Sequence, residues 1–130
     1  MNHLHLLSHR AHGLSVISRS KAGALNHLGI LLPDGRVAHC SPGRGEHVSS
    51  IEDFSMARDV TILEVVDRHL HRGTFERIAA CMRSPQAYHA TTNNCEMFVN
   101  RMLGRNPTSP QLSAALVLVA FAVIGMAAAA

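Results

Sequence analysis

Residues 112–130 read "LSAALVLVAFAVIGMAAAA". The run carries no charge, and Ser113 is its one strong hydrogen-bonding side chain. As a helix it is about 28 Å long at ~1.5 Å per residue, against a bilayer hydrocarbon core of about 30 Å. A helix that is apolar on every face has to be covered on every face. The roughly hundred residues that remain make too small a domain to enclose it. The segment therefore predicts a single C-terminal membrane-anchor helix over 112–130. Its alanine-rich end leaves looser, interfacial association as the alternative. Arg101 and Arg105 lie just before it, which predicts a domain held on the cytoplasmic face of the membrane.

With 130 residues in all, the chain has room for one compact domain and not two. The formal net charge is +3, and no Lys/Arg run stands out. With one Tyr, no Trp and no basic–aromatic alternation, nothing points to nucleic acid. A weak attraction to anionic headgroups is compatible with the charge. The cysteines are Cys40, Cys81 and Cys95. An odd number with no Cys-x-x-Cys pair argues against a disulfide scaffold and against structural zinc, and favours a reducing compartment. Four of the ten histidines crowd the opening "MNHLHLLSHRAH". No acidic or cysteine ligand joins them, so a polar, partly disordered leader over 1–13 is preferred to a metal-binding tract. No metal and no cofactor are expected. The leader also lacks the continuous apolar core and cleavage site of a secretory signal.

Downstream, "GLSVISR" (13–19) reads as an entry strand. "HLGILL" (27–32), "PDG" (33–35) and "RVAHCS" (36–41) read as strand, tight turn and return strand, because Pro presets φ and Asp-Gly is a favoured hairpin dipeptide. "PGRGEHV" (42–48) reads as a loop by its Gly and Pro content. "SSIEDF" (49–54) opens a helix capped by Ser49 or Ser50. "DVTILEVV" (59–66) is rich in β-branched residues and predicts a central strand. "TFERIAACMR" (74–83) predicts a helix begun by Thr74, with Phe75, Ile78, Ala79 and Met82 inward. "NNCEMFVNRMLG" predicts a second helix, capped by Asn93 or Asn94, facing Phe98, Val99 and Met102 inward and stopped by Gly104. Residues 105–111, with two prolines, read as a linker.

Cys95 sits where that second helix begins. Only a thiolate is a useful nucleophile, and both a helix N-terminus and a nearby imidazole favour it. The same N–H groups, with Asn93 and Asn94 as cap and support, can stabilise an oxyanion. His27 and His39 begin and end the arms of the predicted hairpin, so two imidazoles come to one end of one sheet. One can serve as base and the other can orient it. Cys40 adjoins His39 on a strand and should face the other way. Cys81 reads as packing. Taken singly, each of the three site residues is more often structural than catalytic.

The set carries more. "HLGILLPDGRVAH" followed by "NNCEMFVNRMLG" resembles the two signature boxes of the lecithin–retinol acyltransferase (LRAT) family, in its HRAS-like phospholipase/acyltransferase branch. "SSIEDFS" resembles that family's Ser-Leu-Glu-Glu-Phe stretch, and "AYHATTNNCEMF" resembles its Tyr-to-Asn-Cys-Glu-His-Phe segment. The resemblance spans about residues 14–104 and places His27, His39 and Cys95 on the catalytic positions. It implies an α+β, circularly permuted papain-like (NlpC-type) fold with an antiparallel sheet packed by helices. It implies a thiol acyltransferase/phospholipase A acting on glycerophospholipid through a Cys95 thioester. His27 would be base and then acid, His39 would orient it, and the acyl group would pass to water, an amine or a lysolipid.

Three departures accompany the likeness. Met97 stands where the family has His, and Leu28 where an aromatic residue is frequent. The stretch 67–87 is short, which argues against retinyl ester synthesis. Two other readings remain open at the level of sequence. One is an NlpC-type cysteine peptidase or amidase. The other is a non-enzymatic, membrane-tethered interaction protein of the viral 2A type, which carries the same two boxes.

Overall fold

In the computed structural model, the residues described are 13–20 and 25–129. The histidine-rich opening lies outside them. The described chain is α+β. Five antiparallel strands are β1 (Ser15–Ser20), β2 (Asn26–Leu31), β3 (Val37–Ser41), β4 (Gly45–Ser49) and β5 (Val60–Val65). Four helices are α1 (Ile51–Ser55), α2 (Arg68–Arg83), α3 (Cys95–Met102) and α4 (Pro110–Ala129). The strand order across the sheet is β4-β3-β2-β1-β5.

The β2–β3 hairpin is present, with Leu31 opposite Val37. Its turn closes through Gly35 N–H to Leu32 O at 2.9 Å. Gly35 has φ +89°, a left-handed value that favours glycine. The stretch 42–48, expected to be a loop, is only partly one. After a short turn it forms β4, which pairs with β3 along its length. Its glycine there answers a packing need. A Cβ on Gly45 would lie 2.6 Å from the carbonyl oxygen of Gln86, which instead accepts from the Glu46 N–H at 3.0 Å.

Two further expectations are corrected. The 59–66 strand is an edge strand and not a central one, because β1 lies between it and the hairpin. Accordingly its side chains alternate, with Val60 buried and Leu63 and Val65 exposed. The helix expected to start at Thr74 starts at Arg68. Its first turns, "RHLHRG", are polar and contain Gly73, so they show no apolar stripe. Thr74 is an interior, fully buried position, and Phe75 and Ala79 face outward. Ser50 is the cap of α1, its Oγ accepting from Asp53 N–H at 3.1 Å.

The sheet is covered on both faces. Val16, Ile30, Ala38 and Cys40 pack with Ile78 of α2 and with Phe98, Val99 and Met102 of α3. Ile17, Leu31, Val37 and Val60 pack with Phe54 of α1. Alternation along a strand puts neighbours on opposite faces. Cys40 therefore lies among the α2/α3 residues while His39 meets Phe54, as the sequence predicts. Gly29 makes the Phe54 side possible, since a Cβ there would stand 2.8 Å from the Phe54 ring and 2.6 Å from Val37.

The C-terminal helix is long and apolar enough to cross a membrane over Pro110–Ala128, with a mean hydropathy of 2.2 and none of its span buried against the domain. It takes in the last residues of the expected linker, with Pro110 at its first position. A proline costs nothing there, because that N–H has no partner within the helix.

Candidate active site

The two imidazoles of the hairpin are in direct contact. His27 Nε2 and His39 Nδ1 are 2.9 Å apart, and both side chains are buried. His39 Nε2 lies 2.9 Å from Ser49 Oγ, and the Ser49 hydroxyl donates to the carbonyl of Ser50 at 3.0 Å. This last bond fixes the direction of the chain. With its proton committed to Ser50, Ser49 Oγ accepts from His39 Nε2–H. His39 Nδ1 then bears a lone pair and accepts from His27 Nε2–H, and the basic nitrogen of His27 is Nδ1. Burial, His47 and His27 push His39 down to about 3, so it is neutral at any physiological pH and acts as an acceptor.

Phe54 holds both rings. Its centroid is 5.3 Å from that of His27 and 5.1 Å from that of His39, the latter edge-on. Across the hairpin His39 pairs with His47, whose ring centroid is 4.1 Å away and whose Nδ1–H donates to Gly45 O at 2.8 Å. Sequence reasoning gives His47 no role and offers Ser49 only as a helix cap, whereas its hydroxyl meets His39. Only the register of β4 brings them to His39, and that strand was read as a loop.

Cys95 approaches from the opposite face of the sheet, at the first position of α3, and is 5% exposed. Asn94 caps that helix, its Oδ1 accepting from Met97 N–H at 3.0 Å, while its Nδ2 donates to Ala90 O at 3.0 Å. The N–H groups of Cys95 and Glu96 precede the first intrahelical bond, Phe98 N–H to Asn94 O, and by position have no acceptor within the helix. The Cys95 thiol lies 3.9 Å from the carbonyl oxygen of Asn26, the residue next to His27. Arg19 stands opposite His27 on β1 and is 8% exposed. Burial and Arg58 lower its pKa, and the attraction of a Cys95 thiolate works the other way.

Asn93 is not the cap. Both protons of its amide are taken, by Glu46 Oε1 and by Ala87 O, each at 3.0 Å, so its part is to fix the loop before Cys95. The centre of that anchorage is Glu46. Its carboxylate is buried and receives the Cys81 thiol at 2.7 Å, the Gln86 N–H at 2.9 Å, Asn93, and the Arg101 guanidinium. Burial pushes the Glu46 carboxyl up, and these donors together outweigh it and hold the pKa below the ordinary value. The other two cysteines are poor nucleophiles: burial, reinforced by Glu46, pushes Cys40 up to about 12 and Cys81 up to about 11.

A cleft of about 150 Å³ opens beside the thiol, lined by Leu25, Tyr88, Asn94, Cys95, Leu112 and Ala115 among others. Among the described residues no cluster of His, Cys, Asp and Glu could hold a metal ion. The arrangement offers a helix-borne thiol, a directed imidazole pair and an apolar cleft. These are the parts needed for nucleophilic attack on a carbonyl that carries an apolar group. No protein-family model matches the chain, and no curated protein matches it.

Proposed function

We propose that this chain is a membrane-anchored, cysteine-dependent phospholipase A/acyltransferase of the LRAT type on a circularly permuted papain-like fold. The observation that carries the reading is the hydrogen-bonded run His27–His39–Ser49, with the helix-borne Cys95 thiol 3.9 Å from the carbonyl of Asn26, the residue next to His27. The order of the parts supports the permuted fold, since the histidine strands precede the cysteine helix. In the proposed reaction, His27 Nδ1 takes the proton of the Cys95 thiol around the Asn26 end of β2, where the thiol reaches the hairpin, and the thiolate adds to an ester carbonyl of a glycerophospholipid. The oxyanion forms at the N–H groups that open α3. When the C–O bond breaks, His27 returns the proton to the departing lysophospholipid alkoxide, leaving a thioester on Cys95. Water, an amine or a lysolipid then gives its proton to His27 and takes the acyl group, and the thiol is restored.

The domain is assigned to the cytoplasmic side of the membrane on the strength of Arg101 and Arg105 before the anchor. Both also serve within the domain, Arg101 on Glu46 and Arg105 on Glu64. Intact mass spectrometry of the full chain with short-chain phosphatidylcholine micelles tests the chemistry, with Cys95→Ala as control. The expected result is an acyl mass added to the wild type alone, together with lysolipid. No adduct, with neither fatty acid nor lysolipid released, would overturn the reading and leave the interaction protein or the amidase.

A further inference from the structure

The anchor helix leaves the domain through a fastened joint. Ser109 is buried; its hydroxyl donates to Glu96 Oε2 and accepts from the Leu112 N–H at 3.2 Å, capping α4. Gln111 reaches in two directions. Its N–H and its Nε2 donate to the two oxygens of Glu96, at 3.2 and 2.7 Å. Its Nε2 also donates to Asn26 O at 3.2 Å, and its Oε1 accepts from Asn26 N–H at 2.7 Å. Glu96 is the neighbour of the nucleophile, and Asn26 is the neighbour of His27. A carboxylate at the opening turn of a helix is also favoured by the helix dipole. The first turn of the anchor thus grips both halves of the site.

The cleft beside Cys95 shares this joint. Its lining includes Leu25 and, from α4, Leu112 and Ala115. Beyond Ala115 the helix carries only apolar residues, Gly125 included, through Ala128, and they are exposed wherever their burial is described. The apolar wall of the cleft therefore runs without a break into the segment that can enter a bilayer. Ala115 is the sixth residue of the helix, so the cleft ends about 8 Å along an axis that rises ~1.5 Å per residue.

We infer that the domain is held against the bilayer in one fixed orientation, with the Cys95 cleft open to the leaflet, so that an acyl chain enters it along Leu112 and Ala115 from the membrane side. Gln111 and Glu96 are the positioning residues of this joint. That the chain in the cleft belongs to a substrate rests on the proposed function; the orientation itself does not.

The protein contains no tryptophan, so one introduced indole reports depth. The full chain with Leu25→Trp or Leu112→Trp is placed in phosphatidylcholine vesicles that contain lipid brominated near the glycerol end of the acyl chains. Leu25 is 48% exposed and tolerates the larger ring. The expected result is strong quenching of both indoles. Adding Gln111→Ala and Glu96→Ala should leave the Leu112→Trp signal quenched and reduce quenching of Leu25→Trp at least threefold, with the circular dichroism of the domain unchanged. An unquenched Leu25→Trp in the otherwise intact chain would overturn the inference, because the domain would then swing clear of the lipid. So would quenching that survives loss of both positioning residues. Quenching as expected with no acyl adduct on Cys95 would keep the orientation and sink the enzymatic reading.

Discussion

Ser49 decides where the protons of the site lie. By spending its own hydroxyl proton on Ser50 it compels His39 to donate from Nε2, and the lone pair of His39 then draws the proton of His27 Nε2. Ser49→Ala removes the acceptor and leaves the His39 tautomer open. With one buried hydrogen bond worth about 1 kcal/mol, acyl transfer should fall roughly fivefold while Cys95 remains in place. Steady-state rates on phosphatidylcholine check this. His39 also sets an acid limit. Its pKa is about 3 in the fold against 6.5 ordinarily, so between these values the unfolded chain binds the extra proton and the native one does not. The stability it contributes is complete above 6.5 and is lost as pH falls toward about 3. His39→Gln should flatten the dependence of stability on pH across that window, as read by urea unfolding at a series of pH values.

Among the elements, β4 is the one on which the site most depends and the one least visible in the sequence. The hairpin that carries His27 and His39 was legible because Pro-Asp-Gly between apolar runs has few other uses. The α3 start was legible because Asn before a Cys-Glu turn is cap chemistry. "PGRGEHV" looked like a loop because its glycines suggest a coil, whereas Gly45 is there to admit the Gln86 carbonyl. With β4 hidden, Ser49, His47 and Glu46 could not be assigned to the site. The early start of α2 was hidden in the same way by a polar first turn. Glu46 joins β4 to α2, to the loop before Cys95 and to α3. Glu46→Ala strands Arg101 and Asn93 without their acceptor and should cost about 3 kcal/mol, less whatever water returns to Arg101, whose side chain is 36% exposed. Chemical denaturation measures the cost, and labelling of Cys95 should slow as the α3 terminus loosens.

At the scale of the whole molecule, the C-terminal helix divides into a base fastened to the domain and a shaft long and apolar enough to cross a membrane. A chain ended after Ala115 keeps Ser109, Gln111 and both anchor residues of the cleft wall. It should stay in water and label at Cys95 at the full-length rate. A chain ended after Thr108 loses the bonds to Glu96 and Asn26 and should label several-fold differently, by mass spectrometry with a maleimide. The bonds of the site also span the chain very unevenly. His27 and His39 are separated by 12 positions, Asn26 and Cys95 by 69, and Asn26 and Gln111 by 85. No contiguous fragment shorter than most of the protein contains them all. On the proposed function, a nascent or misfolded chain carries three equivalent thiols, and Cys95 becomes the nucleophile only when the last long-range contact closes. The reactivity of a single sulfur thus becomes a gauge of how many molecules in a preparation have completed their folding.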